Sequence, residues 1–389
     1  MPRAAPEALG QALTLALVSG VLLLAAAPVT AAAPPDLFGG GRLVAYTPSG
    51  WDPRAHAVPG PASLRADADE LRRRGFRAIT TPRSTPALMP VCRLFKRRGF
   101  RTVLVGVSDP RDATQLRTAE KQRRCADGYV VGDGGLAAGR YRRVDLEAAL
   151  ARLRRVTGKP VAVREELRAY DDDPTLLALG DWAFPIANPY LVADQRHPQT
   201  ACGFSVTHYL DLSARVAKGV PVVLAETAFA TAGDPSAREN SQRAFFPCIE
   251  TRAVRFEYFE AFDQPWRDPA DGPAAHWGLF RADGTPKFFA SMLAPPAVSI
   301  RPVGSWVRGR VRNAAPERFR VVTYVRRERW QVGPTSVVSR RGKWKARMAE
   351  GEKVAAVLMA KGSPPADGIE RLPQVDAEHV FAVADTPPR

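Results

Sequence analysis

Histidine is scarce in this chain, at five in 389 residues, and cysteine is held to four. Neither is spaced as a zinc site requires, so metal chemistry has little to build on. The sequence also lacks a P-loop, a dinucleotide-binding glycine fingerprint and a Ser-His-Asp order, which removes nucleotide-dependent and serine-hydrolase chemistry from consideration and leaves no cofactor expected. Acidic residues are the minority sign, 40 against 56 Lys and Arg, for a formal net charge of +16. Beyond the first thirty residues no stretch is apolar enough to span a bilayer.

The beginning of the chain has what the rest lacks. MPRAAPEALG is followed by an apolar run from Ala12 to Val29 and then by TAAAPPD. This layout predicts a secretory signal peptide over residues 1–33, cleaved near Ala31 to Ala33, with an uncleaved N-terminal anchor as the alternative. An exported, periplasmic or secreted, protein is the expectation. An even set of cysteines in such a compartment points to two disulfides among Cys92, Cys125, Cys202 and Cys248. Four cysteines allow three connectivities, of which proximity along the chain suggests Cys92 with Cys125 and Cys202 with Cys248.

Short apolar runs alternate with helical patterns through the middle of the chain. Strands are predicted at LVAYTP, FRAITT, TVLVGVS, GYVVG, PVAVRE, WAFPIAN, PVVLAE and VRFEYFEAF. Between them SLRADADELRRRG, ALMPVCRLFKRRG, VDLEAALARLRRVTG and THYLDLSARVAKG show helix-face spacing and close on glycine. Eight such units in about 250 residues predict an α/β chain with a (β/α)8 TIM barrel over residues 42–293. After the proline-rich APPA at 294–297 the pattern turns to alternation, predicting a small all-β domain over 298–389. Residues 301–347 hold fourteen Lys or Arg against Glu317 and Glu328. In an exported protein such a surface suits anionic envelope polymers rather than nucleic acid.

Chemistry in a parallel barrel gathers at the carboxyl ends of the strands. Those positions are Tyr46, Thr81, Asp133, Glu165, Asn188 with Tyr190, Glu226, and Glu260 with Asp263. Any single carboxylate there can be a helix cap, but Glu226 directly follows the apolar Val222-Val223-Leu224-Ala225, where burial would raise its pKa. The segment FEYFEAFDQPWRDPADGPAAHWGLFRADGTPKFF adds six Phe, two Trp, one Tyr and several carboxylates in residues 256–289. A core strand is expected to use Val, Ile and Leu rather than Glu257, so the segment reads as a surface for a polar, ring-shaped ligand.

These strings resemble bacterial members of glycoside hydrolase family 17, the β-1,3-glucanases. The similarity runs through Glu226-Thr227-Ala228-Phe229-Ala230, Asn240 and Gln242, YFEAFDQPWR from Tyr258, HWGLF from His276 and GTPK from Gly284. It is specific in the second half of residues 42–293 and loose in the first. The resemblance implies a retaining glycosidase acting on β-glucan, with Glu226 as nucleophile. It further implies sugar contacts from Glu260, Asp263, Gln264, Trp266, Arg267 and Trp277, alongside Tyr46, Asn188 and Tyr190 at the other strand ends. The family's acid/base glutamate ends the fourth strand in Val-Gly-Asn-Glu, whereas this chain has Val131-Gly132-Asp133-Gly134. Glycine cannot transfer a proton, which leaves Asp133 and Glu165 as substitutes. Three readings stay open: an enzyme with an atypical acid/base, a non-catalytic carbohydrate-binding barrel, and a scaffold whose basic β-domain binds phosphate-bearing polymers.

Overall fold

The structure, a computed structural model, describes residues 36–38, 40–55, 59–268, 270, 272–293, 296–312, 314, 319–339, 341–347, 353–375 and 380–386. The predicted leader, residues 1–33, lies outside the described residues. No helix among the described residues is long and apolar enough to cross a membrane.

Eight parallel strands form the ring: β1 (Arg42–Ala45), β2 (Phe76–Thr80), β3 (Thr102–Val107), β4 (Gly128–Val131), β5 (Val161–Val163), β6 (Trp182–Ala183), β7 (Leu224–Thr227) and β8 (Phe256–Tyr258). Hydrogen bonding runs in the order β6-β5-β4-β3-β2-β1-β8-β7. Parallel bridges Ala183 to Val222 and Ile186 to Ala225 join the two ends, so the sheet closes on itself. The helices between strands are α1 (Pro61–Arg73), α2 (Met89–Arg97), α3 (Ala113–Lys121), α4 (Arg143–Thr157), α5 (Leu167–Asp172), α6 (Pro198–Arg215) and α7 (Glu239–Thr251), with α8 (Phe288–Met292) after β8. The expected (β/α)8 barrel is therefore the observed fold. α4 stops where the sequence signals it, at Gly158, whose φ of 66° is open to glycine without the Cβ penalty, whereas α6 ends at Arg215, four residues before Gly219, where Val216 turns extended.

Alternate strand residues divide between two cores. Leu43, Ala78, Leu104, Val130, Ala162, Trp182, Val223 and Ala225 fill the barrel interior, and their neighbours pack outward against the helices. Leu37 and Phe38, from the segment before β1, join the interior set, with the Arg255 guanidinium 5.4 Å from the Phe38 ring. The Asp36 carbonyl accepts from Thr102 Oγ1 at 2.5 Å at the start of β3. This segment therefore covers the amino-terminal end of the barrel. Disulfides join Cys92 to Cys125 and Cys202 to Cys248, the pairing suggested by proximity along the chain. They tie α2 to the turn after α3, and α6 to α7.

One expectation fails in β8. Phe256–Tyr258 is a buried strand, and Glu257 within it is fully buried although Val, Ile or Leu was expected there. The reason is local: its carboxylate accepts from the Glu226 backbone N–H at 3.1 Å and faces the cation Arg164.

After α8 the chain forms antiparallel strands β9 (Ala297–Val298), β10 (Arg301–Val303), β11 (Trp306–Arg312), β12 (Phe319–Arg326), β13 (Trp330–Val337), β14 (Lys343–Arg347), β15 (Lys353–Ala360) and β16 (Val380–Asp385). One sheet has the order β10-β11-β14 with β9 also on β11, the other β13-β12-β15-β16. Val307, Val311, Trp344, Val321 and Leu358 meet in a shared core.

Candidate active site at the carboxyl ends of the strands

The bonding register between β7 and β8 slips between Leu224 and Thr227. Glu226 sits inside that slip with a φ of 49°, a left-handed backbone that few residues other than glycine adopt. The irregularity frees the Glu226 amide to donate to Glu257 instead of to a strand carbonyl. Strain of this kind is of order 1–3 kcal/mol and persists only where the surroundings over-determine it. Here the surroundings are charged.

Arg164 is the hub. It follows β5, two positions after the inward-facing Ala162, so the period of two turns its side chain into the barrel. Its Nη2 donates to Asp133 Oδ1 at 2.9 Å and to the Pro82 carbonyl at 3.2 Å, while Nη1 lies 3.7 Å from Glu226 Oε1. One guanidinium with a 2% exposed side chain thus links the carboxylates after β4 and in β7. Burial pushes the Glu226 carboxyl up to about 8; Arg164 opposes this, and the charges of Asp133 and Glu257 add to it. The buried Glu257 carboxyl is raised for the same reason.

Beside this cluster, Arg267 Nη2 donates to Glu260 Oε2 at 3.1 Å, and its guanidinium lies 5.2 Å from the ring centres of both Phe259 and Trp266. Burial pushes the Glu260 carboxyl up to about 7, opposed by Arg267. Trp266 and Arg267 are partly exposed, so the pair offers an aromatic face and a guanidinium to a ligand.

The remaining predicted residues are held by the protein itself. Tyr46 is buried and donates to Asp67 at 2.7 Å. The Asn188 side chain accepts from the Tyr190 N–H, and the Tyr190 hydroxyl donates to Asp234. Asp263 takes Lys287 Nζ at 2.6 Å and the Gly278 N–H at 2.9 Å. The Gln264 amide reaches the carbonyls of Thr47, Pro48 and Phe262 and accepts from Trp266 Nε1. Trp277 is 5% exposed, edge-on to Tyr190. These side chains support the mouth more than they face a ligand. Thr81 is also buried, its hydroxyl accepting from the Gly106 N–H.

The two substitute carboxylates differ. Asp133 has a 33% exposed side chain and shares Arg164 with Glu226. Glu165 is fully buried, accepting from the Tyr141 hydroxyl and from the Leu136 N–H at 3.0 Å. Burial raises its carboxyl, and those two donors hold it against the loop after β4. Its neighbour Glu166 was not singled out from the sequence. Gly134 has a φ of 63°, and a Cβ built there would lie 3.2 Å from both Cγ and Oε1 of Glu166. An exposed carboxylate from β5's end thus occupies the space beside the glycine. Arg164 and Glu257 were also missed. The available signal was phase: Arg164 lies two residues after Ala162, and Glu257 lies between two outward aromatics.

Among the described residues no group of three or more His, Cys, Asp or Glu side chains is arranged to hold a metal ion. No family model matches the chain. No curated protein matches it either. Solved structures that match this chain include a family 39 glycoside hydrolase from the gut symbiont Bacteroides cellulosilyticus, at TM-score 0.47 and 10% identity, covering 83% of this chain and 82% of that one. An exo-β-1,4-mannosidase from an Opitutaceae bacterium has TM-score 0.48 and 12% identity, covering 65% of this chain and 58% of that one. A Ruminococcus gnavus β-glucuronidase has TM-score 0.45 and 13% identity, covering 60% and 46%. The chain therefore spans about half the length of the last two.

Proposed function

We propose that this chain is an exported glycoside hydrolase or transglycosylase acting on β-1,3-glucan by a retaining mechanism, with Glu226 as nucleophile. The observation that carries the reading is Glu226 itself, a carboxylate on a strained left-handed backbone at the mouth of the barrel, faced by a buried guanidinium it shares with Asp133. In the first step the Glu226 carboxylate attacks the anomeric carbon, the glycosidic C–O bond breaks, and the leaving oxygen takes a proton from an acid. Water then displaces the carboxylate. The barrel over residues 42–293 holds this site, and the β-module over 298–389 is a separate working part. The leader pattern and the two disulfides support export.

A second reading is favoured by Gly134, because a left-handed glycine at the end of β4 supplies no proton donor. On that reading the barrel binds carbohydrate without cleaving it. An aryl β-glucoside with an acidic phenol separates the two, since its leaving group needs little protonation. The enzyme should release phenol, and E226Q should abolish release. Because only the ionised carboxylate attacks, the rate should climb with pH towards about 8 before levelling. Phenol release unchanged in E226Q would refute the role of Glu226. No release from the unmodified protein, with laminari-oligosaccharide still bound, would establish the binding barrel instead.

A further inference from the structure

The sheet β10-β11-β14 has one face in the core and one face in solvent. Val307, Val311, Trp344 and Ala346 point inward; Trp306, Arg308, Arg310, Lys343, Lys345 and Arg347 point outward. The register sets the outward residues in rows. Arg301 pairs with Arg308, and Arg308 with Lys345, so three cations lie directly across three adjacent strands. Arg310 pairs with Lys343 in the next row, and Val303, Trp306 and Arg347 make the row beyond. Rows and columns are spaced about 4.8 Å across strands and about 6.8 Å along them.

Like charges directly opposite one another destabilise a sheet. Among the described residues, none of these cations has a carboxylate at ion-pair distance. Edge strands often carry Lys or Arg to block aggregation, which would account for β10 and β14. It does not account for Arg308 and Arg310, since β11 is paired on both sides. A lattice that repels itself is relieved by a multivalent anion. The partly exposed Trp306 ring, with Lys345 Nζ 5.1 Å from its centre, adds a flat apolar surface at the end of the cationic rows.

We propose that this face is a second carbohydrate site, docking a polysaccharide that carries anionic groups along its length. The charge arrangement argues for an extended polyanion. The choice of a sugar polymer over a nucleic acid rests on the carbohydrate reading of the barrel. The site is distinct from the barrel mouth, and its residues are not used there.

The test uses the full chain with three probes: polygalacturonate, neutral laminarin, and a single-stranded oligonucleotide of matched charge. Polygalacturonate should bind and weaken steeply with salt, because exposed charges are screened over about 10 Å at 0.1 M. Replacing three cations by R308Q/R310Q/K345Q should weaken binding by roughly 10- to 100-fold, at up to about 1 kcal/mol per exposed pair, and flatten the salt dependence. The variant's melting temperature should hold or rise, since repulsion has been removed. Laminarin binding should be unchanged in this variant and lost only through changes at the barrel mouth, so failure of one site is told apart from failure of the other. Unaltered polygalacturonate binding in the variant, or tighter binding of the oligonucleotide than of polygalacturonate, would overturn the proposal.

Discussion

Removing the guanidinium at the hub tests the electrostatic account of the candidate site. In Arg164→Gln the carboxylates of Asp133, Glu226 and Glu257 lose the cation that faces them all. Breaking a buried pair from one side typically costs about 3–5 kcal/mol, because a charge is left uncompensated. The cost should also depend on pH in a set direction. Glu226 has a folded-state value near 8 against an ordinary 4.5, so its protonated form stabilises the fold below pH 4.5. That contribution is lost as pH rises to about 8. Without Arg164 the folded value rises further, and the loss continues above pH 8 at about 1.4 kcal/mol per pH unit. Urea unfolding of both proteins at pH 6, 8 and 9 measures this. A deficit under about 1 kcal/mol, or one that does not widen between pH 8 and 9, would show that the three carboxylates are not sharing one desolvated cation.

Glu166→Gln should slow cleavage of laminari-oligosaccharides by about 10²- to 10⁴-fold while sparing the aryl β-glucoside, if its carboxylate beside Gly134 delivers the proton; equal loss on both substrates would assign it a structural part. Replacing Cys202 and Cys248 by serine should lower unfolding free energy by about 4 kcal/mol on the chain-entropy relation for a loop of 46 residues, measured by denaturant titration.

The barrel was legible because each βα unit repeats one physical pattern, a four-to-six-residue apolar run followed by a helix with charged faces. Glu226 was legible because a carboxylate ending an apolar run must be accounted for. Arg164 and Glu257 were legible only by phase, which marks a charge as inward but does not name the partner that makes an inward charge tolerable. Only closure of the sheet brings strand 5 opposite strands 7 and 8 and makes each the other's partner. Tyr46, Asn188, Tyr190, Asp263 and Gln264 illustrate the converse. The Tyr46 and Tyr190 hydroxyls and the Asp263 carboxylate find partners 21 to 44 residues away, in Asp67, Asp234 and Lys287, and the Gln264 amide reaches back to the carbonyls of Thr47 and Pro48, while Asn188 is taken up locally by the Tyr190 N–H. Glu166 was hidden by its neighbour: Glu165 closed the predicted strand, and nothing local shows that the loop after β4 takes Glu165 into its hydrogen bonds while leaving Glu166 exposed beside Gly134.

The short segment with Leu37 and Phe38 extends a core of side chains that already fills the barrel, so the barrel is a plug and not a passage. If it handles glucan as proposed, the sugar chain meets it from the mouth side alone, and incoming and outgoing sugars share that one approach. High substrate concentration should then slow departure as well as hasten arrival, with the traffic set at the rim, where Trp266 and Arg267 stand.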